Sequence, residues 1–266
     1  MTAINSNLGA LLAQRFLRGT ASEAASTQNR VASGQRTSSA IDDAASFAVA
    51  ASARGDAKAY AAAATAMQGA TAAGMVAISA GESIGDRLGD IRAKVAQLAD
   101  ESLSAQSRAT LNADLASMVA GVNAQLSGAS LNGANLLSGA GSDKAVPAGA
   151  DGSAVTLRDN AVQPLALGAI GGVADAANAL IDIDTFRQSL DGALRNLGGD
   201  LSQLRAQSEM ARQAGEATQF GLGALVDADL ARESASLASL QVRQQLGGTS
   251  MGIANQTPSA LLSLLR

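Results

Sequence analysis

The sequence predicts a mainly α protein: a long antiparallel helical rod or coiled coil with a small β-hairpin insertion. Apolar residues recur at helical spacing toward both ends of the chain. Hydrophobic residues make up 47% of the 266 residues but aromatic residues only 2%. Most of the apolar residues are Ala and Leu, the strongest helix formers, and small side chains suit close packing between helices better than a thick core. The middle of the chain is instead rich in Gly and carries two of the three Pro residues.

The first region, from about residue 4 to residue 137, has the spacing of helices. Ile4, Leu8 and Leu11 are separated by four and three residues, which puts them on one face of a helix. A single helix from Ala44 to about Asp100 would be roughly 80 Å long at about 1.5 Å per residue. This length predicts a rod rather than a helix of an ordinary globular domain.

A polar segment, residues 33–39 (SGQRTSS), interrupts this helical region. Ser39 with Asp42 three residues later has the spacing of a helix N-cap followed by an acidic first turn. We therefore expect a long second helix to begin here.

Residues 138–172 differ in character from both flanks. Two short apolar runs, Ala154–Leu157 (AVTL) and Leu165–Leu167 (LAL), are typical of short strands joined across a polar turn. The segment predicts a small β-hairpin insertion.

The third region returns to helix and contains the clearest periodicity in the chain. Its leucines alternate between steps of four and three, which is a heptad seam: Leu190, Leu194, Leu197, Leu201 and Leu204. Further leucines continue an apolar face toward the C-terminus.

Each end of the chain is amphipathic and has no neighbouring helix in the sequence to pack on. We therefore expect the two ends to pair with each other and their outer faces to pack on other copies. Glycines within the long helix cost about 1 kcal/mol each relative to Ala, and packing must offset that cost. These glycines are Gly69, Gly74, Gly81, Gly85 and Gly89.

Whole classes of chemistry are excluded because the chain contains no Cys and no His. Disulfides, thiolate nucleophiles, Ser–His triads and metal sites of the usual His or Cys type all need one of these residues. We therefore expect no enzyme, and no catalytic, cofactor-binding or metal-binding residues.

The net charge of −4 argues against non-specific binding of nucleic acid, which needs clustered Lys and Arg. No apolar run approaches the 18 or so residues of a membrane span, so we expect no membrane partner. Arg15 and Arg18 follow the first apolar residues, the reverse of the order in a secretory signal. Composition alone would therefore place the protein in the cytoplasm.

Motifs at both ends of the chain resemble those of bacterial flagellins. The N-terminal motifs are residues 5–8 (NSNL) with 13–15 (AQR), 30–45 (RVASGQRTSSAIDDAA) and 131–137 (LNGANLL). The C-terminal motifs are residues 227–233 (DADLARE), and 254–258 (ANQTP) followed by the leucines of 261–265. The departures from the family pattern are local, such as Leu131 where the family has Phe.

The resemblance implies a short flagellin whose domains combine both ends of the chain. Residues 1–36 and 226–266 would form an inner terminal coiled-coil domain, and residues 44–138 and 176–220 a helical rod domain. Residues 139–175 would form the hairpin insertion, with 37–43 and 221–225 as linkers.

The resemblance also implies function and location. The chain would be a structural subunit that self-assembles into the extracellular flagellar filament for swimming motility. It would be exported unfolded by the flagellar type III system without a cleavable signal peptide, which replaces the cytoplasmic location. Its partners would be further copies, with or without other flagellins, together with the hook-associated junction protein, the filament cap and an export chaperone. A hook–filament junction protein of the same family is the alternative.

We expect the functional site to be an assembly interface. The apolar candidates come from both termini: Ile4, Leu8, Leu11, Leu237, Leu261, Leu262, Leu264 and Leu265. The polar and charged candidates are Arg30, Arg36, Asp42, Asp43, Asn255 and Gln256. We expect the charged residues among them to set the register between subunits.

Two residues depart from a family surface that an animal toll-like receptor binds. Asp90 stands where many members have Arg, and Lys94 where they have an apolar Leu. Reversing a charge and charging an apolar anchor both weaken an interface, so we expect poor recognition by that receptor.

Other interpretations of single motifs are less favoured. Asp42 and Asp43 could be a catalytic carboxylate pair, but adjacent residues on a helix do not face each other. Residues 255–257 match a glycosylation sequon, although an assembly motif explains them better, and residues 4–16 could lie on a membrane surface. Hydroxyl groups that could carry O-linked glycans are those of Ser130, Ser138, Ser142 and Thr156.

Overall fold

The computed structural model describes residues 7–139 and 141–264, with side chains as far as residue 256. The helices are α1 (Leu8–Ser33), α2 (Ala44–Leu98), α3 (Ala105–Gly128), α4 (Val173–Val226) and α5 (Leu230–Leu264). The strands are β1 (Ser130–Leu131), β2 (Ala134–Asn135), β3 (Lys144–Pro147) and β4 (Ala154–Leu157). The predicted fold class, mainly α with a small β-hairpin, is confirmed.

The chain divides into two compact units, and α2 and α4 contribute residues to both. One unit combines residues 1–55 with 218–266, and the other comprises residues 56–217. The division falls within two helices, whereas the sequence suggested boundaries at the linkers. Residues 221–225, expected as a linker, lie in the last turns of α4.

In the unit of residues 56–217, α2 and α4 run antiparallel in a constant register. Gly81 faces Leu194, Gly74 faces Leu201 and Gly215 faces Tyr60. The two residue numbers of each pair add to 275, as two antiparallel helices without a slip require. The heptad leucines of α4 form the seam, and Leu190, Leu197 and Leu204 are at most 1% exposed.

This seam explains two of the five α2 glycines named in the sequence analysis. A Cβ atom at Gly81 would lie 2.6 Å from Leu194 Cδ2, so only a residue without a side chain lets that leucine approach the α2 backbone. Gly69, Gly85 and Gly89 have no atom within 4 Å of the position that a Cβ would take. Packing within the chain therefore offsets the cost of Gly74 and Gly81 but does not explain the other three.

An extended segment, residues 159–171, runs along α3, and two asparagines hold it. The Asn123 side chain donates to the Leu165 carbonyl (2.8 Å) and accepts from the Leu165 N–H (2.9 Å). Asn112 makes the same pair of bonds with Ile170, at 3.1 and 2.9 Å. These amides satisfy backbone groups that a partner strand would otherwise bind.

The strand expected at Leu165–Leu167 is therefore wrong. The hairpin partner of β4 is β3, which precedes it, with Lys144 opposite Leu157 and Pro147 opposite Ala154. Strand β3 was missed because Pro and charged neighbours mask its short apolar pattern. The adjacent two-stranded turn, β1–β2, reverses at Asn132 and Gly133, both with positive φ (51° and 79°).

An ion pair between Arg158, directly after β4, and Asp200 joins the end of β4 to α4. The Arg158 guanidinium donates to Asp200 through Nη2 (2.7 Å) and Nε (3.1 Å), and the Arg158 N–H also donates to Asp200 (3.0 Å). The Asp200 side chain is only 4% exposed, whereas that of Arg158 is 53% exposed. The Asp200 carboxylate raises the pKa of Arg158 through hydrogen bonding and charge attraction.

The expectation that no segment is apolar enough to span a membrane is wrong for α2. By length and composition alone this helix could cross one. Residues 59–81 carry no charged side chain, and Ala is the commonest residue among them. Only 22% of the most apolar window is buried within the chain, so most of that window is exposed in the single chain.

Candidate assembly surface

In the unit of residues 1–55 and 218–266, α1 and α5 form an antiparallel pair. The Asn7 side chain accepts from the Ala10 N–H as the α1 N-cap and donates to the Ala254 carbonyl (2.7 Å). Leu17 fits over Gly247, where a Cβ would lie 2.7 Å from Leu17 Cδ2. Thr20, Ala24 and Thr27 of α1 are buried, each being small enough for the helices to approach closely.

The outer side of this pair exposes large apolar side chains. Leu8, Leu12 and Phe16, each four residues apart, are 71%, 61% and 77% exposed, and Leu246 of α5 is 60% exposed. Leu12, Phe16 and Leu246 line an open groove of about 370 Å³ between the two helices. We call these four residues with their groove the assembly surface. Residues of this size gain about 1.5–3 kcal/mol each when they are buried, so the surface favours association.

The groove continues along the same two helices but becomes polar. Beyond Arg243, which lines both parts, its walls carry the hydroxyl groups of Ser22, Ser26, Ser236 and Ser239. The helix pair is thus apolar toward the chain termini and polar toward the linkers.

The predicted apolar site residues lie at this end of the unit. Leu8 and Leu11 are exposed (71% and 49%), and Leu237 is half-buried. Leu261, Leu262 and Leu264 belong to α5, but their side chains lie outside the described residues, as do Ile4 and Leu265 entirely. Asn255 and Gln256 are exposed on α5. Sequence reasoning missed Leu12, Phe16 and Leu246, although the step of four from Leu8 would have found the first two.

The predicted arginines have partners within the chain. Arg30 Nε lies 3.0 Å from Glu233 Oε2, and its two Nη atoms donate to Ser26 and Thr27. Arg36 Nη2 donates to the Leu225 carbonyl (2.8 Å) and thereby satisfies an end group of α4.

The segments that directly follow α1 and α4 also pair with each other. The Arg36 N–H donates to the Val226 carbonyl (2.7 Å), and the Ala228 N–H donates to the Gly34 carbonyl (2.9 Å). Gln35 and Asp227 form an antiparallel bridge between these bonds.

Asp42 and Asp43 have different local roles, and the expected N-cap is corrected. Asp43, not Ser39, caps α2, since its Oδ1 accepts from the Ala45 and Ser46 N–H groups (3.0 and 3.2 Å). Asp42 closes the preceding turn by accepting from Ser38 and Ser39, and the first turn of α2 holds no acidic residue. Ser39 and Ser38 hydrogen bonds lower the pKa of Asp42, and the Ser46 hydroxyl chiefly lowers the pKa of Asp43.

The two receptor-region residues differ in their environment. Asp90 is exposed, whereas Lys94 Nζ lies 3.5 Å from Asp114 Oδ2 on α3 and its side chain is 23% exposed. Ile91 and Val95 beside them are fully buried. Among the candidate glycan acceptors, Ser130, Ser142 and Thr156 are exposed and Ser138 is half-buried. In the described part of the chain, no cluster of three or more acidic residues could hold a metal ion.

Two family models match the chain at its two ends. The model of the bacterial flagellin N-terminal helical region matches residues 4–142, and that of the C-terminal helical region matches residues 180–265. The chain belongs to the bacterial flagellin family. The flagellin resemblance of the terminal motifs is thereby confirmed.

Full-length relatives agree with the family models. Flagellin FljO of Caulobacter vibrioides is 35% identical, with 100% of this chain and 99% of that protein aligned. A flagellin of Brucella melitensis is 32% identical over the full length of both chains. The crystal structure of Bacillus cereus flagellin aligns with 54% of this chain and 86% of its own, at 20% identity and a TM-score of 0.48, a similarity too low to support any argument.

This flagellin is a structural subunit of the bacterial flagellar filament, an extracellular assembly of many copies. The relatives support this function over that of a hook–filament junction protein. Flagellins are a structural family rather than a family of enzymes.

Proposed function

We propose that α1 and α5 pack through the assembly surface against other copies of the chain in the interior of the filament. The observation that carries this proposal is the exposure of Leu12, Phe16 and Leu246 around one groove. Burial of such side chains is the main favourable term in most protein association. A self-assembling family supplies the partner, which is a second copy.

Arg30, Arg36, Asp42 and Asp43 would set the register between subunits indirectly. The ion pair of Arg30 with Glu233 fixes α1 against α5, and Arg36 bonds to the end of α4. Asp42 and Asp43 order the turn that precedes α2. A surface that is already held in place loses less conformational entropy when a second copy binds.

We keep the proposed division into an inner terminal domain (1–36 and 226–266), a rod domain (44–138 and 176–220) and a hairpin insertion (139–175), with linkers at 37–43 and 221–225. The antiparallel pairing of α1 with α5, and of α2 with α4, supports it. Because residues 221–225 belong to α4, the non-helical connection between α4 and α5 is residues 227–229.

Export and accessory partners extend this proposal. The subunit would leave the cell unfolded through the flagellar type III system without a cleavable signal peptide. It would then meet an export chaperone, the hook-associated junction protein and the filament cap. The terminal motifs shared with flagellins support these partners.

We also propose that the subunit is a weak ligand of the animal toll-like receptor that binds other flagellins. Asp90 is exposed and opposite in charge to the family Arg, and Lys94 is engaged with Asp114. Activation of receptor-expressing cells by purified monomer, compared with the Asp90→Arg/Lys94→Leu variant, tests this. We expect stronger activation by the variant, and equal activation would overturn the proposal.

Removal of the last six residues, 261–266, tests the proposed role of the termini. We expect the shortened chain to remain monomeric under conditions in which the full chain polymerises, as measured by sedimentation. Its helical circular dichroism and thermal unfolding should stay close to those of the full chain, because the core of residues 56–217 is untouched. Normal filaments from the shortened chain would contradict the proposal.

A further inference from the structure

A second groove lies in the unit of residues 56–217, between the extended segment and α4. We call it the α4 groove. Leu165 and Phe186 form its floor and are 4% and 6% exposed. Gln163 and Pro164 form one wall, and Asp182 and Ser189 of α4 the other. Its volume of about 360 Å³ has room for one or two side chains.

Asp182 differs from the other aspartates of α4. Asp175 accepts from the Gly171 N–H, while Asp184, Asp191 and Asp200 pair with arginines. Asp182 makes no hydrogen bond or ion pair with any residue that the structure describes, and it is exposed at the edge of the α4 groove. A free carboxylate is thus placed beside an apolar floor.

This combination fits a long basic side chain. The aliphatic stem of such a residue covers apolar surface while its charged head reaches a carboxylate. Lys58, Lys94 and Lys144 are the lysines among the 19 basic residues, so most of the cations that the chain can offer are arginines. Arg87 and Arg205 are exposed, and within the described residues neither side chain has an ion-pair partner.

We propose that the α4 groove accepts an arginine side chain of a second copy of the chain in the filament. This inference rests on the proposed function, because it takes the partner to be another subunit. A second copy is the expected partner because flagellins self-assemble. The carboxylate of Asp182 beside the apolar floor suits the charged head and aliphatic stem of arginine. The α4 groove would then be a second contact between copies, separate from the assembly surface of α1 and α5.

The absence of cysteine from the chain makes a labelling test direct. Ser189→Cys places a thiol in the α4 groove, and Asp151→Cys places one in the exposed β3–β4 turn as the control. Maleimide reacts with each variant, first as dissociated subunits and then as filaments. We expect the groove thiol to react in filaments at about one tenth of its rate in dissociated subunits, or more slowly still. The labelling rate of the control thiol should change by less than about twofold.

A pair of charge variants tests the arginine. Asp182→Asn and Asp191→Asn remove the same charge from the same helix, inside and outside the α4 groove. We expect Asp182→Asn to raise the subunit concentration needed for seeded polymerisation about fivefold, and Asp191→Asn to leave it nearly unchanged. Both variants should retain the circular dichroism spectrum of the original chain.

The outcomes separate the two proposals. If filaments form but the groove thiol stays fully reactive, the α4 groove is not a contact between copies. If the thiol is protected but Asp182→Asn polymerises as well as Asp191→Asn, its occupant is not a basic side chain. If the original chain does not polymerise at all, the proposed function itself is overturned.

Discussion

Leu201 packs directly onto the backbone of Gly74: a Cβ atom added at Gly74 would lie 2.5 Å from Leu201 Cδ2 and 3.1 Å from its Cγ. Leu201 is buried, so it has little room to move away. Seven residues along each helix, Gly81 and Leu194 repeat the arrangement. These two contacts fix the register of α2 against α4.

Gly74→Ala should therefore destabilise the subunit, although alanine is the better helix former. We expect a loss of about 1–3 kcal/mol in the free energy of unfolding, the usual cost of overpacking. Gly69→Ala is the matched control, because nothing lies within 4 Å of its Cβ position, and it should gain up to about 1 kcal/mol. Urea unfolding of both monomers measures the difference, and a stabilising Gly74→Ala would contradict the close packing.

Removing either partner of the Arg158–Asp200 pair should loosen the hairpin, but to different extents. Arg158→Ala leaves the nearly buried Asp200 carboxylate without its counter-ion, whereas Asp200→Ala leaves a half-exposed guanidinium that water can solvate. We expect the melting temperature to fall further in Arg158→Ala. An equal fall in both variants would mean that the burial of Asp200 does not decide the cost.

The Asp43 cap should make the start of α2 sensitive to acid. Hydrogen bonds from the Ser46 hydroxyl and the Ser46 N–H lower the pKa of Asp43 below its ordinary value. Because the folded pKa is lowered, this stabilisation is present above about pH 4 and is lost as the pH falls through the folded pKa. Asp43→Ala should therefore melt at a lower temperature than the original chain at pH 7, and the difference should shrink as the pH falls through the lowered pKa of Asp43. A difference that stays constant with pH would exclude a contribution from the charge.

Phe16→Ala should weaken assembly without affecting the monomer. The Phe16 ring is 77% exposed in the single chain, so its removal costs little there. In the filament the variant would lose about 1.5–3 kcal/mol of the free energy gained by burying the Phe16 ring. This loss corresponds to roughly a tenfold to hundredfold rise in the subunit concentration needed to polymerise. Glu23→Ala, at the polar part of the same groove, is the control. If Phe16→Ala polymerises at the same subunit concentration as the original chain, Phe16 is not part of the interface.

The helices could be predicted because their periodicity is dense and local. The seam from Leu190 to Leu204 points to one face, and that face is buried in the structure. The sequence could not show that Gly74 and Gly81 receive these leucines, since the register between α2 and α4 depends on residues more than 100 positions apart.

The structure of the middle of the chain was harder to predict because it depends on side-chain hydrogen bonds between residues far apart in the sequence. Leu165–Leu167 has an apolar run like that of a strand, but Asn123 satisfies its backbone from α3. Nothing in the local pattern marks Asn123 as the partner. In the same way, Leu12 and Phe16 could be placed on a helix, but only the pairing with α5 shows that they flank a groove.

Negative-stain electron microscopy of the purified chain, after seeding or addition of ammonium sulfate, shows directly whether the chain assembles into a filament. We expect long tubular filaments that disappear on heating or acidification. Soluble subunits that only decorate the ends of existing filaments, or that ignore filaments altogether, would contradict it.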